Sequence, residues 1–205
     1  MKKSIALLAL LLLPGIAQAA PTTRFGPGIH LVGIDIQAGL YRSEGGVDYF
    51  ARLSGVSGDF GEIIANGIPS EDGPALVEIL PEDAAFESTG DGEWYLVDDS
   101  YAPEIRISFG DGAWIVGVDI LPGLYRTEDD VDYYARLSGF SGQLADILAN
   151  NAITTGRITL QILDTDVGFE TSGGAIWTRM DTTSTAVRSV TWGEVKTGAK
   201  IENSP

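Results

Sequence analysis

The chain has 205 residues, a formal charge of −16, 26 glycines and no cysteine. A field of that sign repels nucleic acid and anionic lipid, so neither is expected as a partner. With no thiol and a single histidine, disulfides and thiolate catalysis are excluded and zinc lacks a ligand set.

The N-terminus reads as a processing signal. Lys2 and Lys3 are followed by the apolar run Ile5 to Leu13, the breaker Pro14-Gly15 and the small-x-small site Ala17-Gln18-Ala19. That order predicts a signal peptide over residues 1–19, cut after Ala19. The run is short for a membrane span, and no later stretch is long enough, so no transmembrane segment is expected after processing. Loss of Lys2 and Lys3 takes the charge to −18. The expected location is the periplasm or the exterior.

Beyond the signal the chain repeats itself. Residues 25–66 and 109–150 align at an offset of 84 without a gap, and 25 of the 42 pairs are identical. A repeat of this kind predicts two copies of one small unit. The expected division is a first β repeat over 20–98, a linker over 99–108, a second β repeat over 109–181 and a tail over 182–205. Each copy is small for a unit held by its core alone, and the linker is short, so the copies are expected to touch.

Within each copy the apolar residues alternate at the period of a strand. His30-Leu31-Val32 and Trp114-Ile115-Val116 open the copies, and Gly39 to Arg42 and Gly123 to Arg126 follow a turn. Asp48 to Leu53 and Asp132 to Leu137 are the clearest strands, with Tyr49, Ala51 and Leu53 on one face and Asp48, Phe50 and Arg52 on the other. Glu62 to Asn66 and Asp146 to Asn150 fit a strand or a helical turn. Leu76 to Ile79 and Ile158 to Ile162 alternate again, and Phe86-Glu87 with Trp94, and Phe169-Glu170 with Trp177, close the copies. Roughly six or seven short strands per copy suit a sandwich or a small barrel. The copies diverge, with a one-residue length change, around Ile68 to Ala75 and Ile153 to Gly156, as surface loops do. In the tail, Val190 to Lys196 reads as one more strand or turn, with Trp192 anchoring it to the repeats.

The strings Val32-Gly33-Ile34-Asp35-Ile36, Gly39-Leu40-Tyr41-Arg42, Tyr49-Phe50-Ala51-Arg52-Leu53-Ser54-Gly55 and Ile63-Ile64-Ala65-Asn66 resemble a repeat of uncharacterised bacterial secreted proteins and lipoproteins, many of them actinobacterial. The resemblance covers both copies and implies location and an all-β fold, with no assigned biochemical function. The family pattern carries one cysteine before its Tyr-Trp pair and another before its Gly-x-Trp. This chain has Asp48 and Asp132 at the first position, and Asp91 and Gly174 at the second. The resemblance thus implies a disulfide lost as a pair, a loss that typically costs about 2–5 kcal/mol. Contact between the copies is the expected compensation.

Catalytic vocabulary is sparse. His30 is replaced by Trp114 in the second copy, no Gly-x-Ser-x-Gly elbow occurs, and Ser57 reads as a turn serine. No catalytic residue is assigned. Asp164-Thr165-Asp166 and the cluster Glu128, Asp129, Asp130 and Asp132 leave calcium as the one cofactor to consider, although the loop lacks the terminal glutamate of a calcium loop. The most pointed constellation is Arg42, Asp48 and Arg52, repeated as Arg126, Asp132 and Arg136. On one strand Asp48 and Arg52 stand about 13 Å apart, so other strands must supply their partners. Paired arginines clamp a carboxylate or sulfate. The simpler reading pairs them with Asp35 or Asp119, or with backbone carbonyls, because a paired charge tolerates burial.

The expected protein is all-β: two tandem sandwich or barrel-like repeats with a C-terminal tail strand. Its expected role is a non-enzymatic binding or structural module facing an envelope or extracellular partner. The alternatives are a carboxylate-based envelope glycan hydrolase and a calcium-stabilised module.

Overall fold

The computed structural model describes residues 20–180 and 191–197. The predicted signal and most of the tail lie outside the described residues. Each copy is a sandwich of two four-stranded antiparallel sheets, one strand more than the upper count from periodicity. In the first copy β1 (Arg24–Phe25), β8 (Trp94–Leu96), β3 (Gly39–Ser43) and β6 (Ala75–Ile79) form one sheet in that order. The sheet facing it orders β2 (Gly28–Leu31), β7 (Ala85–Gly90), β4 (Val47–Leu53) and β5 (Ile63–Gly67). The second copy repeats both. Its sheets are β9 (Ser108–Phe109), β16 (Trp177–Arg179), β11 (Gly123–Thr127) and β14 (Ile158–Ile162), and β10 (Gly112–Ile115), β15 (Gly168–Ser172), β12 (Val131–Leu137) and β13 (Ile147–Thr154). Strands β1 and β9 have two residues each, too few to leave a period.

The repeated strings have local jobs. In Val32-Gly33-Ile34-Asp35-Ile36 the chain turns tightly. Gly33 takes φ 78°, a left-handed conformation that glycine adopts at little cost. The Asp35 carboxylate accepts from the Leu31 amide at 2.8 Å, and Ile36 is fully buried. Tyr41 is buried with its hydroxyl donating to the Gln37 carbonyl at 2.7 Å, and burial pushes its pKa up to about 12. Trp94 lies at the centre of the sandwich, edge-on to Phe50 and Phe86, and its indole N–H donates to Ser88 Oγ at 2.9 Å. Trp177 repeats this with Thr171 Oγ1 at 3.1 Å. A buried indole needs such a partner. Residues 60–62 and 144–146 form 3-10 turns that run directly into β5 and β13, so both readings of those segments hold in part.

The sandwiches meet across a seam. Leu40, Leu76 and Val97 of the first copy pack against Ala113, Ile115, Val118, Ala135, Leu137 and Phe140 of the second. Two backbone bonds cross it, Ala113 N to Pro74 O at 2.7 Å and Glu78 N to Phe140 O at 2.8 Å. The approach is close enough that a β-carbon on Gly73 would stand 2.5 Å from the Asp111 carbonyl oxygen. The described part of the tail departs from expectation. Trp192–Lys196 is a short helix, α1, rather than a strand. Glu194 caps its start by accepting from Thr191 N at 2.8 Å, and a carboxylate at that end suits the helix. Trp192 is buried in the seam cluster.

Candidate functional site

The six charged residues singled out by the repeat are scattered to different fates. Arg42 is buried and reaches across the seam: Nη1 meets Asp119 Oδ2 at 3.1 Å, while Nε meets Glu44 at 2.7 Å. Its guanidinium lies over Trp114 at 5.6 Å and Tyr101 at 5.9 Å. Asp119 also accepts from Ile115 N and from the Tyr101 hydroxyl. Burial pushes the Asp119 carboxyl above its ordinary range, against the downward pull of Arg42, the Ile115 amide and the Tyr101 hydroxyl.

Arg52 turns into its own sandwich and forks onto Asp83 at 2.7 and 2.8 Å. Its remaining Nη1 donates across the seam to the Ser141 carbonyl at 2.7 Å. Arg136 forks onto Asp166 at 2.6 and 2.7 Å. Arg126, the counterpart of Arg42, makes only a long 3.4 Å contact to Thr159 Oγ1 and forms no ion pair among the described residues. Asp48 and Asp132 are exposed, and neither pairs with an arginine among the described residues. The geometry thus separates Asp48 and Asp132 from the arginines they were grouped with. Of the partners expected for a structural arginine, Asp119 pairs with Arg42 and a backbone carbonyl, that of Ser141, takes Arg52, while the forks go to Asp83 and Asp166, which were not among them.

The other polar candidates also have local partners. His30 Nε2 bonds the Gly26 carbonyl at 3.0 Å, the place taken in the second copy by the Trp114 indole N–H on the Gly110 carbonyl at 3.1 Å. Ser57 bonds the Glu62 carboxylate through both its amide and its hydroxyl. Glu128 pairs with Arg157, Asp130 accepts from Gly156 N, and Asp166 is held by Arg136. No three metal-ligating side chains converge among the described residues.

A cleft lies at the seam. Its volume is about 370 Å³, within the range of small-molecule sites. One wall is the outer face of the second copy's β10-β15-β12-β13 sheet, with Tyr133, Leu137, Ile147 and Glu170, together with the loop residues Phe140 and Leu144. The other is the first copy's divergent loop, with Ile68, Pro69 and Pro74. In the second copy the chain instead continues as strand β13 to Thr154, so this wall belongs to the first copy. Asp146 also borders the cleft, but its carboxylate is taken by the Ser141 amide and hydroxyl. Glu170 is different: no donor reaches its carboxyl among the described residues, and burial alone pushes its pKa up. Sequence reasoning passed over Glu170, because a glutamate on a short strand looks like surface until another copy covers it.

A tandem pair of antiparallel sandwiches, joined by a seam and carrying a cleft there, defines the class: a duplicated all-β module. The chain belongs to the Rv1352-like extracellular domain family, which it matches twice, over residues 22–95 and 107–178. No curated protein and no solved structure matches it. Among the described residues no helix is long and apolar enough to cross a membrane.

Proposed function

We propose that the protein is a non-enzymatic extracytoplasmic binding module, released to the periplasm or exterior by cleavage after Ala19, and that the seam cleft is its binding site. The observation that carries this reading is Glu170, a carboxyl with no hydrogen-bond partner among the described residues, on a wall that also carries Tyr133, Leu137 and Ile147. Such a half-buried carboxyl favours a compact, mainly apolar ligand bearing an amine or another hydrogen-bond donor, which would pair with it by a charge-assisted bond. The acidic field of the chain draws cationic ligands to it. In this reading Arg42 and Arg52 hold the seam together and do not touch ligand.

A screen of small hydrophobic amines by ligand-observed NMR, repeated on Glu170→Gln and on Ile68→Arg at the cleft mouth, tests the proposal. Binding that weakens at least tenfold in both variants is expected. No binding, or binding indifferent to both changes, would overturn it.

A further inference from the structure

The seam joins two unlike faces. The first copy offers the arginine side, with Arg42, Leu40 and Leu76. The second offers the carboxylate side, with Asp119, Ile115 and Phe140. A contact between unlike faces is not consumed by one pairing, and a tandem pair built this way keeps one face of each kind at its two ends. We propose that these ends join, so that a second copy of this chain docks head to tail on the first copy's β2-β7-β4-β5 sheet.

The carboxylate end is already built. Asp35 takes its proton donor from Leu31 N at 2.8 Å, as Asp119 does from Ile115 N at 2.8 Å, yet Asp35 is exposed. Around it Ile29, Ile34 and Val56 are 56, 50 and 57% exposed, whereas their counterparts Ala113, Val118 and Phe140 are buried by the seam. Beneath lies an apolar floor of Ala51, Leu53 and Ala85, flanked by Leu31, Tyr49 and Ile63. Strand β2 is the open edge of its sheet, as β10 is of its own. Strand β10 closes that edge through the bond from Ala113 to Pro74, and Ile29 holds the matching place on β2.

The arginine end has matching vacant donors. Arg126 lacks an ion pair among the described residues. Arg136 spends Nε and Nη2 on Asp166, and its Nη1 meets no acceptor among the described residues, whereas the Nη1 of Arg52 crosses the seam to Ser141. Seam geometry repeated between chains places Arg126 against Asp35 of the next chain, and Arg136 Nη1 against that chain's Ser57 carbonyl. The arginine end is more polar than its seam counterpart, with Thr159 and Thr178 where the first copy has Leu76 and Tyr95. The contact is therefore weaker than the seam and depends on concentration.

Sedimentation velocity over a concentration series tests this on the chain from Ala20 onward. Physiological salt screens the long-range repulsion between acidic chains. Mass rising past that of a dimer with concentration is expected. Asp35→Arg and Arg126→Asp should each abolish it, and an equimolar mixture of the two should restore it, because each arginine then meets a carboxylate. Val56→Glu, which leaves the Asp35 turn bond intact, should abolish association while melting like the parent. A chain monomeric at every concentration overturns the proposal. So does association indifferent to the swaps, or a mixture that fails to recover.

Discussion

Asp35 and Asp119 occupy the same place in the same five-residue turn and accept the same backbone bond. One faces water and the other is 2% exposed beneath Arg42 and Tyr101. The same contrast runs through Ile34 and Val118, Val56 and Phe140, and Arg126 and Arg42. The aspartates and the arginines are the same residues at matching positions; what differs is whether the other sandwich lies on top. The repeat therefore specifies two nearly identical sandwiches, and their asymmetric docking assigns different environments to equal residues. Docking also relieves the marginal burial available to a unit of this size.

The sharpest way to break the comparison is to delete both carboxylates. Asp119→Ala leaves Arg42 buried with Glu44 as its remaining anionic partner, and orphans the Tyr101 hydroxyl and the Ile115 amide. Removing one side of a buried pair costs about 3–5 kcal/mol. Asp35→Ala removes one turn bond at an exposed site, and about 1 kcal/mol or less is expected. Urea unfolding of both variants measures the difference. Equal losses would mean that the turn, rather than the seam, sets the cost.

A second contrast concerns the positions that carry cysteine in the pattern this chain resembles. In the first copy Asp91 N donates to the Gly46 carbonyl at 2.7 Å, which brings Asp91 beside the start of β4 and Asp48. Asp48→Cys with Asp91→Cys should close a bridge and stabilise by about 2–4 kcal/mol. In the second copy the matching position is Gly174 at φ 81°, a left-handed conformation that a cysteine adopts only with strain. The pair Asp132→Cys and Gly174→Cys should gain little or lose stability. Melting temperatures with and without reductant check both. A gain of similar size in the second copy would sink the argument from backbone conformation.

Much of this fold was legible beforehand because the informative residues act locally. The period-two strands, the glycine turn, the buried tryptophans and the close contact of the copies all follow from sequence. The two-residue strands left no period to read. The tail helix was hidden because a polar segment with one tryptophan also fits a strand. The site was harder. Asp48 and Arg52 share a strand face in sequence, but Arg52 is drawn to Asp83 in the turn between β6 and β7, a pairing that strand register does not reveal. Glu170 and Glu87 are equivalent in sequence and both half-buried, but only Glu170 lines the seam cleft. A property conferred by the partner sandwich cannot be read from repeats that match so closely.

That last pair gives the smallest effect and the most direct probe of the cleft. Burial holds the Glu170 pKa above its unfolded value, so the folded state binds the proton more tightly. Stability from this group is therefore fully present below the unfolded pKa of a glutamate, and is lost as pH rises through the higher folded value. Glu170→Gln keeps the shape without the charge. It should raise the melting temperature at neutral pH and flatten the decline of stability between mildly acidic and neutral conditions. Glu87→Gln, at the equivalent position of the first copy, is the matched control. Thermal unfolding of the three proteins across pH supplies the test. If Glu170→Gln retains the parental slope, the carboxyl is solvated and the cleft is wetter than its lining implies. If the slope disappears, the seam has turned one of two equal glutamates into a group awaiting a partner.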